Sequence, residues 1–150
     1  MDELYLRLQG ITGESRDNLH QGWIDLKGYS WGLESPGTGA NGTVNFQNVI
    51  VYASLDKATP AMITHATKKT LISKAELAIC RAGSEHKEFC RITLENVRIV
   101  SISMGDSGVA SEVSYGLEAD KVQFQYWEQT SRGGRGAETR TTWDIKEHHA

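Results

Sequence analysis

Period-two alternation of apolar and polar residues recurs along this chain, and helical periodicity appears convincingly in one place only. Leu4, Leu6 and Leu8 alternate with Glu3, Tyr5, Arg7 and Gln9. Val113, Tyr115 and Leu117 alternate with polar residues, as do Val122, Phe124 and Tyr126, and later Thr141, Trp143 and Ile145. Alternation of that kind marks strands with one face in a core. With Trp23–Trp31, Val44–Ala53, Leu71–Cys80 and Phe89–Met104 added, the pattern predicts about eight or nine strand segments. Such a series, separated by loop signals, predicts an all-β barrel or sandwich.

The breaks in the pattern are informative. Val44 and Phe46 share one parity and Val49 and Val51 the other, so a bulge or bend is expected near Gln47-Asn48. Cys90, Ile92 and Leu94 share a face, Val97 and Ile99 break from it, and Val100, Ile102 and Met104 restore it. Kinks near Glu95-Asn96 and near Val100 would let that long strand turn a corner. In the Leu71–Cys80 segment, Leu71, Leu77 and Ile79 are expected on one face and Ile72, Lys74 and Glu76 on the other. Gly10–His20 reads as a long polar connection, and Arg81–Lys87, Gly105–Ala110 and Ser131–Ala137 as polar or glycine-bearing loops. The one helix is expected over about Pro60 to Lys69. Thr59 would cap it, Pro60 suits its first position, Met62, Ile63 and Ala66 form its apolar stripe, and Lys68 and Lys69 complement its C-terminal dipole.

Gly22–Gly32 is the most distinctive strand, with two of the four tryptophans. Ile24, Leu26 and Gly28 share one parity; Trp23, Asp25, Lys27, Tyr29 and Trp31 share the other. Charge mixed with aromatics on that second face points to an assembly interface or a lumen rather than plain solvent. The 150 residues are enough for one domain, 1–150, with its own core. A net charge of −3 argues against a nucleic-acid binder with a basic face. No apolar run approaches the roughly 18 residues of a membrane span. The acidic Met1-Asp2-Glu3 start lacks the pattern of a secretory signal peptide. The expectation is a chain made and folded in the cytoplasm, with another route for any export.

Several motifs suggest chemistry and fail on context. Gly37-Thr38-Gly39-Ala40-Asn41-Gly42 matches G-x-G-x-x-G, but Pro36 precedes it and a strand-like segment follows, where a dinucleotide site needs a helix. Gly105-Asp106-Ser107-Gly108 resembles the start of a serine-nucleophile motif, but Val109 follows and no histidine has the context of its base. Asn41-Gly42-Thr43 is a glycosylation pattern without secretory entry, and Arg132-Gly133-Gly134-Arg135-Gly136 is one scrap of an RGG segment. Cys80 and Cys90 read as reduced, buried thiols, with a bridge across a hairpin as the lesser alternative. A metal site needs more ligands than Cys80, His86 and Cys90 supply. His20 and His86 fall in polar loops, His65 on the helix, and His148-His149 at the end. No catalytic set, cofactor site or metal site is expected.

Two functions remain. One is a structural protomer that polymerises. The other is a monomeric binding module that uses its loops as a ligand site. Leu6-Arg7-Leu8-Gln9-Gly10-Ile11-Thr12-Gly13-Glu14-Ser15, Gly22-Trp23-Ile24-Asp25-Leu26 and Tyr29-Ser30-Trp31-Gly32 resemble the N-terminal pattern of the Hcp family. These are the haemolysin-coregulated tube proteins of the bacterial type VI secretion system. Asp56-Lys57-Ala58-Thr59-Pro60, Lys74-Ala75-Glu76-Leu77, Arg81-Ala82-Gly83, Phe89, Ile92-Thr93-Leu94-Glu95-Asn96-Val97 and Trp143-Asp144-Ile145 extend the resemblance in the family's order. The Ser35–Thr43 and Ser131–Ala137 loops depart from it.

The resemblance implies a two-sheet β-barrel flanked by one short α-helix. It implies a homohexameric ring, rings stacked into the inner tube of a contractile sheath, and export with the tube on firing. Partners would be other copies, the type VI spike and sheath, and effector proteins held in the lumen. The resemblance places Leu26–Trp31 along the channel wall, with Ser30 as the lumen-facing candidate. Tyr29 and Trp31 are candidates for a subunit contact, with packing in the core as the alternative. Gly37, Thr38, Gly39, Ala40 and Asn41, in the Glu34–Thr43 loop, are candidates for contacts between stacked rings.

Overall fold

The computed structural model describes residues 2–37, 44–82, 88–130, 135–147 and 149. Strands β1 (Asp2–Leu8), β2 (Ile24–Ser30), β5 (Val49–Ala53), β6 (Ile72–Arg81), β7 (Glu88–Asp106) and β8 (Ser111–Gln129) form a barrel in the order β5-β2-β1-β6-β7-β8, closed by pairing of β5 with β8. Strand β9 (Arg135–Asp144) adds to the free side of β8. Strands β3 (Leu33–Glu34) and β4 (Asn45–Phe46) make a separate two-stranded sheet. The sequence-based expectation of an all-β barrel with one short helix therefore holds.

The alternation explains the core. Leu6, Leu8, Ile24, Val51, Leu77, Ile92, Val97, Tyr115 and Leu117 all point inward and are buried. Each such aliphatic side chain contributes about 2 kcal/mol of burial against the unfolded chain. The break at Gln47-Asn48 separates β4 from β5, as the parity shift predicts. Both expected kinks of β7 are present. Asn96 takes a left-handed φ of 54°, and the pairing with β8 shifts register between Ile99 and Ser101.

Some expectations fail for instructive reasons. The two segments around Tyr115 and Phe124 are one continuous strand of 19 residues. Buried Ala119 and Val122 have opposite parities, and their partners across the hairpin, Val97 and Leu94, do too. Both strands thus turn the same corner at the same level, and no loop is needed. Leu71 is exposed, and Ile72 is the buried residue at the start of β6. Gly10–His20 is polar in composition but packed in fact. Ile11, Gly13, Ser15 and His20 are buried, and backbone bonds from Gly13 N to Gly22 O (2.7 Å) and Ser15 N to Trp23 O (2.9 Å) hold the segment against the start of β2. It covers the outer side of β1, so Tyr5 is buried instead of facing solvent.

Helix α1 (Ala58–Lys68) starts two residues before the expected Pro60. Thr59 does not cap it; the N-cap residue is Lys57, without a side-chain cap bond, and Asp56 just before it accepts from the first helical amide, Ala58 N, at Oδ1 at 2.9 Å, while Thr59 Oγ1 accepts from Asp56 N at 3.3 Å. Pro60 still lies in the first turn, where an amide N–H has no helical partner. The helix closes at Lys69, whose φ of 54° lets Lys69 N and Thr70 N bond Ala66 O and His65 O.

Candidate functional site

The outer side of the barrel carries its most coherent surface where β2, β5, β8 and β7 run side by side. Cross-strand registers define two rows. Ser30, Ile50, Gly116 and Ser101 form one; Gly28, Tyr52, Ser114 and Ser103 form the other. Neither row holds a charged residue. Ile50 and Tyr52 are the only large side chains, 37% and 43% exposed. At one end of the strip a cavity of about 450 Å³ opens between Lys27, Tyr52, Met104 and Glu112. Lys27 donates from Nζ to Ser111 O at 2.9 Å.

Several charges elsewhere are tied into ion pairs. Arg91 bonds Glu88 and Glu76 at 2.6 and 2.7 Å, and Arg98 bonds Glu118 and Asp120 at 2.8 and 2.9 Å. Arg140 bonds Glu138 at 2.6 Å.

The structure distributes the sequence-predicted residues over four environments. Ser30 is exposed on the first row. Tyr29 does not share the outward face that alternation assigned to it. A bulge between Leu26 and Gly28 inserts one residue and reverses the parity, so Tyr29 pairs with fully buried Val51. Tyr29 stands at one end of the barrel beside Leu4, Phe89, Phe124 and Tyr126, around a cavity of about 490 Å³, and burial raises its pKa. Trp31 packs within the chain: its ring stacks on Phe46 at 6.1 Å, and Phe46 lies 6.0 Å from Trp143. Gly37 is exposed beyond the β3–β4 ladder, which ties the base of the predicted inter-ring loop. Thr38, Gly39, Ala40 and Asn41 lie outside the described residues.

This architecture has known counterparts. The family model described as "Type VI secretion system effector, Hcp" matches residues 5–132. The chain belongs to the Hcp family. Protein hcp1 of Pseudomonas aeruginosa is 28% identical over 156 residues, covering 97% of this chain and 96% of that protein. Hcp1 from Salmonella typhimurium superposes with a TM-score of 0.85 at 21% identity, over 99% of this chain and 97% of that one. A structure described as a type six secretion system protein superposes with a TM-score of 0.89 at 22% identity, over 99% and 98%. The Hcp fold therefore covers nearly the whole chain.

Sequence reasoning missed most of the outer strip. Ile50, Tyr52, Ser101, Ser103, Ser114 and Gly116 come from three strands, and only the registers bring them to Ser30. The alternating Ser101 and Ser103 were the one local signal. It also missed His20, which is 2% exposed. The His20 ring stacks on Tyr5 at 4.4 Å and meets the edge of Trp23 at 4.7 Å. Its Nδ1 donates to Asp17 Oδ2 at 2.7 Å. Cys80 lies in the same small outer cluster as Tyr5, whereas Cys90 lies in the main core. Burial, reinforced by Glu88, pushes the Cys80 thiol up to about 12 and the Cys90 thiol up to about 11.

Proposed function

We propose that this Hcp-family chain is a single-domain structural protomer of the type VI secretion inner tube. Six copies would close a ring, rings would stack, and the tube would leave the cytoplasm through the type VI machinery with effectors in its lumen. Spike and sheath proteins would be its other partners. The carrying observation is the uncharged two-row strip across β2, β5, β8 and β7. A channel wall of serine and glycine offers room and weak, exchangeable hydrogen bonds, with Ile50 and Tyr52 as apolar contacts for cargo. Ser30 is proposed to face that lumen, and the loop through Gly37–Asn41 to contact the next ring. Tyr29 and Trp31 remain the proposed subunit-contact candidates, Tyr29 through its exposed edge at the barrel end. The protomer is proposed to act without catalysis or cofactor, and without nucleic-acid binding or membrane insertion. Among the described residues no helix is long and apolar enough to cross a membrane.

Light scattering on a sizing column tests the ring. The expected mass is six times 16.6 kDa, with annular particles in negative stain. A monomer at every concentration would overturn the ring and favour the binding-module reading.

A further inference from the structure

The outer side of β1, β6 and β7 holds a donor set unrelated to the uncharged strip. Glu3 pairs with Cys80, and Cys80 pairs with Glu88, so these three side chains form one cross-strand row. The Gly10–His20 segment lays His20 over it. The ligand atoms of His20, Cys80 and Glu88 all lie within 4.8 Å of one another, and His20 Nε2 is 3.7 Å from Glu88 Oε1. We propose that His20 Nε2, Cys80 Sγ and a Glu88 carboxylate oxygen form a binding site for a divalent cation of the zinc class.

The chemistry is specific. One imidazole, one thiol and one carboxylate suit zinc or cobalt, and the thiolate disfavours magnesium and calcium. Tetrahedral N···O and N···S ligand pairs on zinc stand about 3.3 and 3.5 Å apart given the usual bond lengths; His20 Nε2 and Glu88 Oε1, at 3.7 Å, need a small adjustment, and the sulfur needs to close by up to roughly 1.3 Å. Asp17 already holds His20 Nδ1, which leaves Nε2 as the lone-pair nitrogen and supplies the carboxylate–histidine arrangement that supports metal ligation. Arg91 holds both oxygens of Glu88, Nε to Oε2 at 2.6 Å and Nη2 to Oε1 at 2.8 Å. A cation on Oε1 displaces the second bond only. Arg91 keeps Oε2, and its Nη1 keeps Glu76 at 2.7 Å.

Charge balances too. Binding exchanges the thiol proton for the metal: Cys80–SH plus M²⁺ gives Cys80–S–M⁺ plus H⁺, and the Glu88 carboxylate neutralises the remaining charge. The thiol is deprotonated by coordination, not by oxidation. A water would fill the fourth position. Cys80 and Glu88 face each other across the β6–β7 hairpin, and His20 comes from a segment far earlier in the chain, so a bound cation would pin the Gly10–His20 segment to the barrel wall.

The test is a cobalt titration of the full chain, reduced and then stripped with EDTA. The expected result is a near-ultraviolet sulfur-to-cobalt charge-transfer band that saturates at one Co²⁺ per chain and is bleached by equimolar Zn²⁺. Cys90→Ser should keep the band, Cys80→Ser should lose it, and Asp17→Asn should weaken Co²⁺ binding about tenfold. No band in the wild type overturns the site, whatever the variants do. So does a band that survives Cys80→Ser or disappears with Cys90→Ser. If Cys80→Ser does not fold by circular dichroism, His20→Gln replaces it and should abolish the band; persistence of the band in His20→Gln would also overturn the site. The readout does not depend on ring formation, so it stands or falls apart from the tube reading.

Discussion

The hydroxyls of Thr59 and Tyr115 lie 2.8 Å apart inside the barrel, joining the first turn of α1 to the first half of β8. Tyr115 is 1% exposed and Thr59 6%, so neither hydroxyl has ready access to water. Tyr115→Phe should leave Thr59 Oγ1 with only the Asp56 amide at 3.3 Å. The expected loss is about 1–2 kcal/mol, read as a lower urea midpoint at unchanged slope.

Asp56 accepts from the first amide of the same helix from a partly buried position, and burial raises its pKa. Asp56→Ala should leave Ala58 N–H without that acceptor and cost about 1 kcal/mol. Asp56→Asn keeps an acceptor for Ala58 N–H without a charge to desolvate, so it should be close to neutral. A folded-state pKa above the unfolded one means the folded chain holds the proton more tightly. The contribution of this group is therefore most favourable at low pH and is lost as pH rises through the folded pKa. Urea midpoints of wild type and Asp56→Asn, compared across that range, should shift in favour of the asparagine variant as pH rises.

Gly13 and Gly105 make a controlled pair. A Cβ at Gly13 would sit 2.6 Å from Trp23 O and 2.9 Å from Ile24 Cα, both backbone atoms that cannot swing away. A Cβ at Gly105 would meet nothing within 4 Å. Gly13→Ala should destabilise by about 2 kcal/mol, and Gly105→Ala should change thermal stability little.

The thiols should be inert in the folded chain. Both are buried, at 0% and 4% exposure, and lie in separate clusters, so no Cys80–Cys90 bridge is expected under mild oxidation. A colorimetric thiol reagent should react slowly with native protein and with two groups once the chain is unfolded in guanidinium. Rapid native reaction would contradict the packing described above.

Two variants separate ring closure from the roles assigned to the strip and the loop. Ser30→Glu should preserve the hexamer mass and reduce effector co-elution; loss of the ring would remove Ser30 from the lumen. Deleting Thr38–Asn41 should spare single rings and impair their stacking in electron micrographs. Unchanged tubes would refute the role of the loop.

The barrel was legible because its strands bury one face each, and a buried face leaves a period in the sequence. Corners were legible where parity broke on one strand, as at Val100. At Ala119–Val122 the same change of parity was read as a gap between two strand segments, although β8 runs through it unbroken opposite the β7 kink at Asn96. Tyr29 was misplaced because the bulge before Gly28 leaves no composition signal. His20 and Tyr5 were misread as surface because a polar segment was assumed to be a solvated one. The outer strip depended on registers between distant strands, which no local pattern encodes.

Strands β7 and β8 pair antiparallel along nearly their full 19 residues, and β8 then hands its far half to β9. A pull along the strand axis would load that ladder in shear. Its rungs would share the force instead of opening one after another. In the proposed tube, the long hairpin would carry load from one end of the barrel to the other.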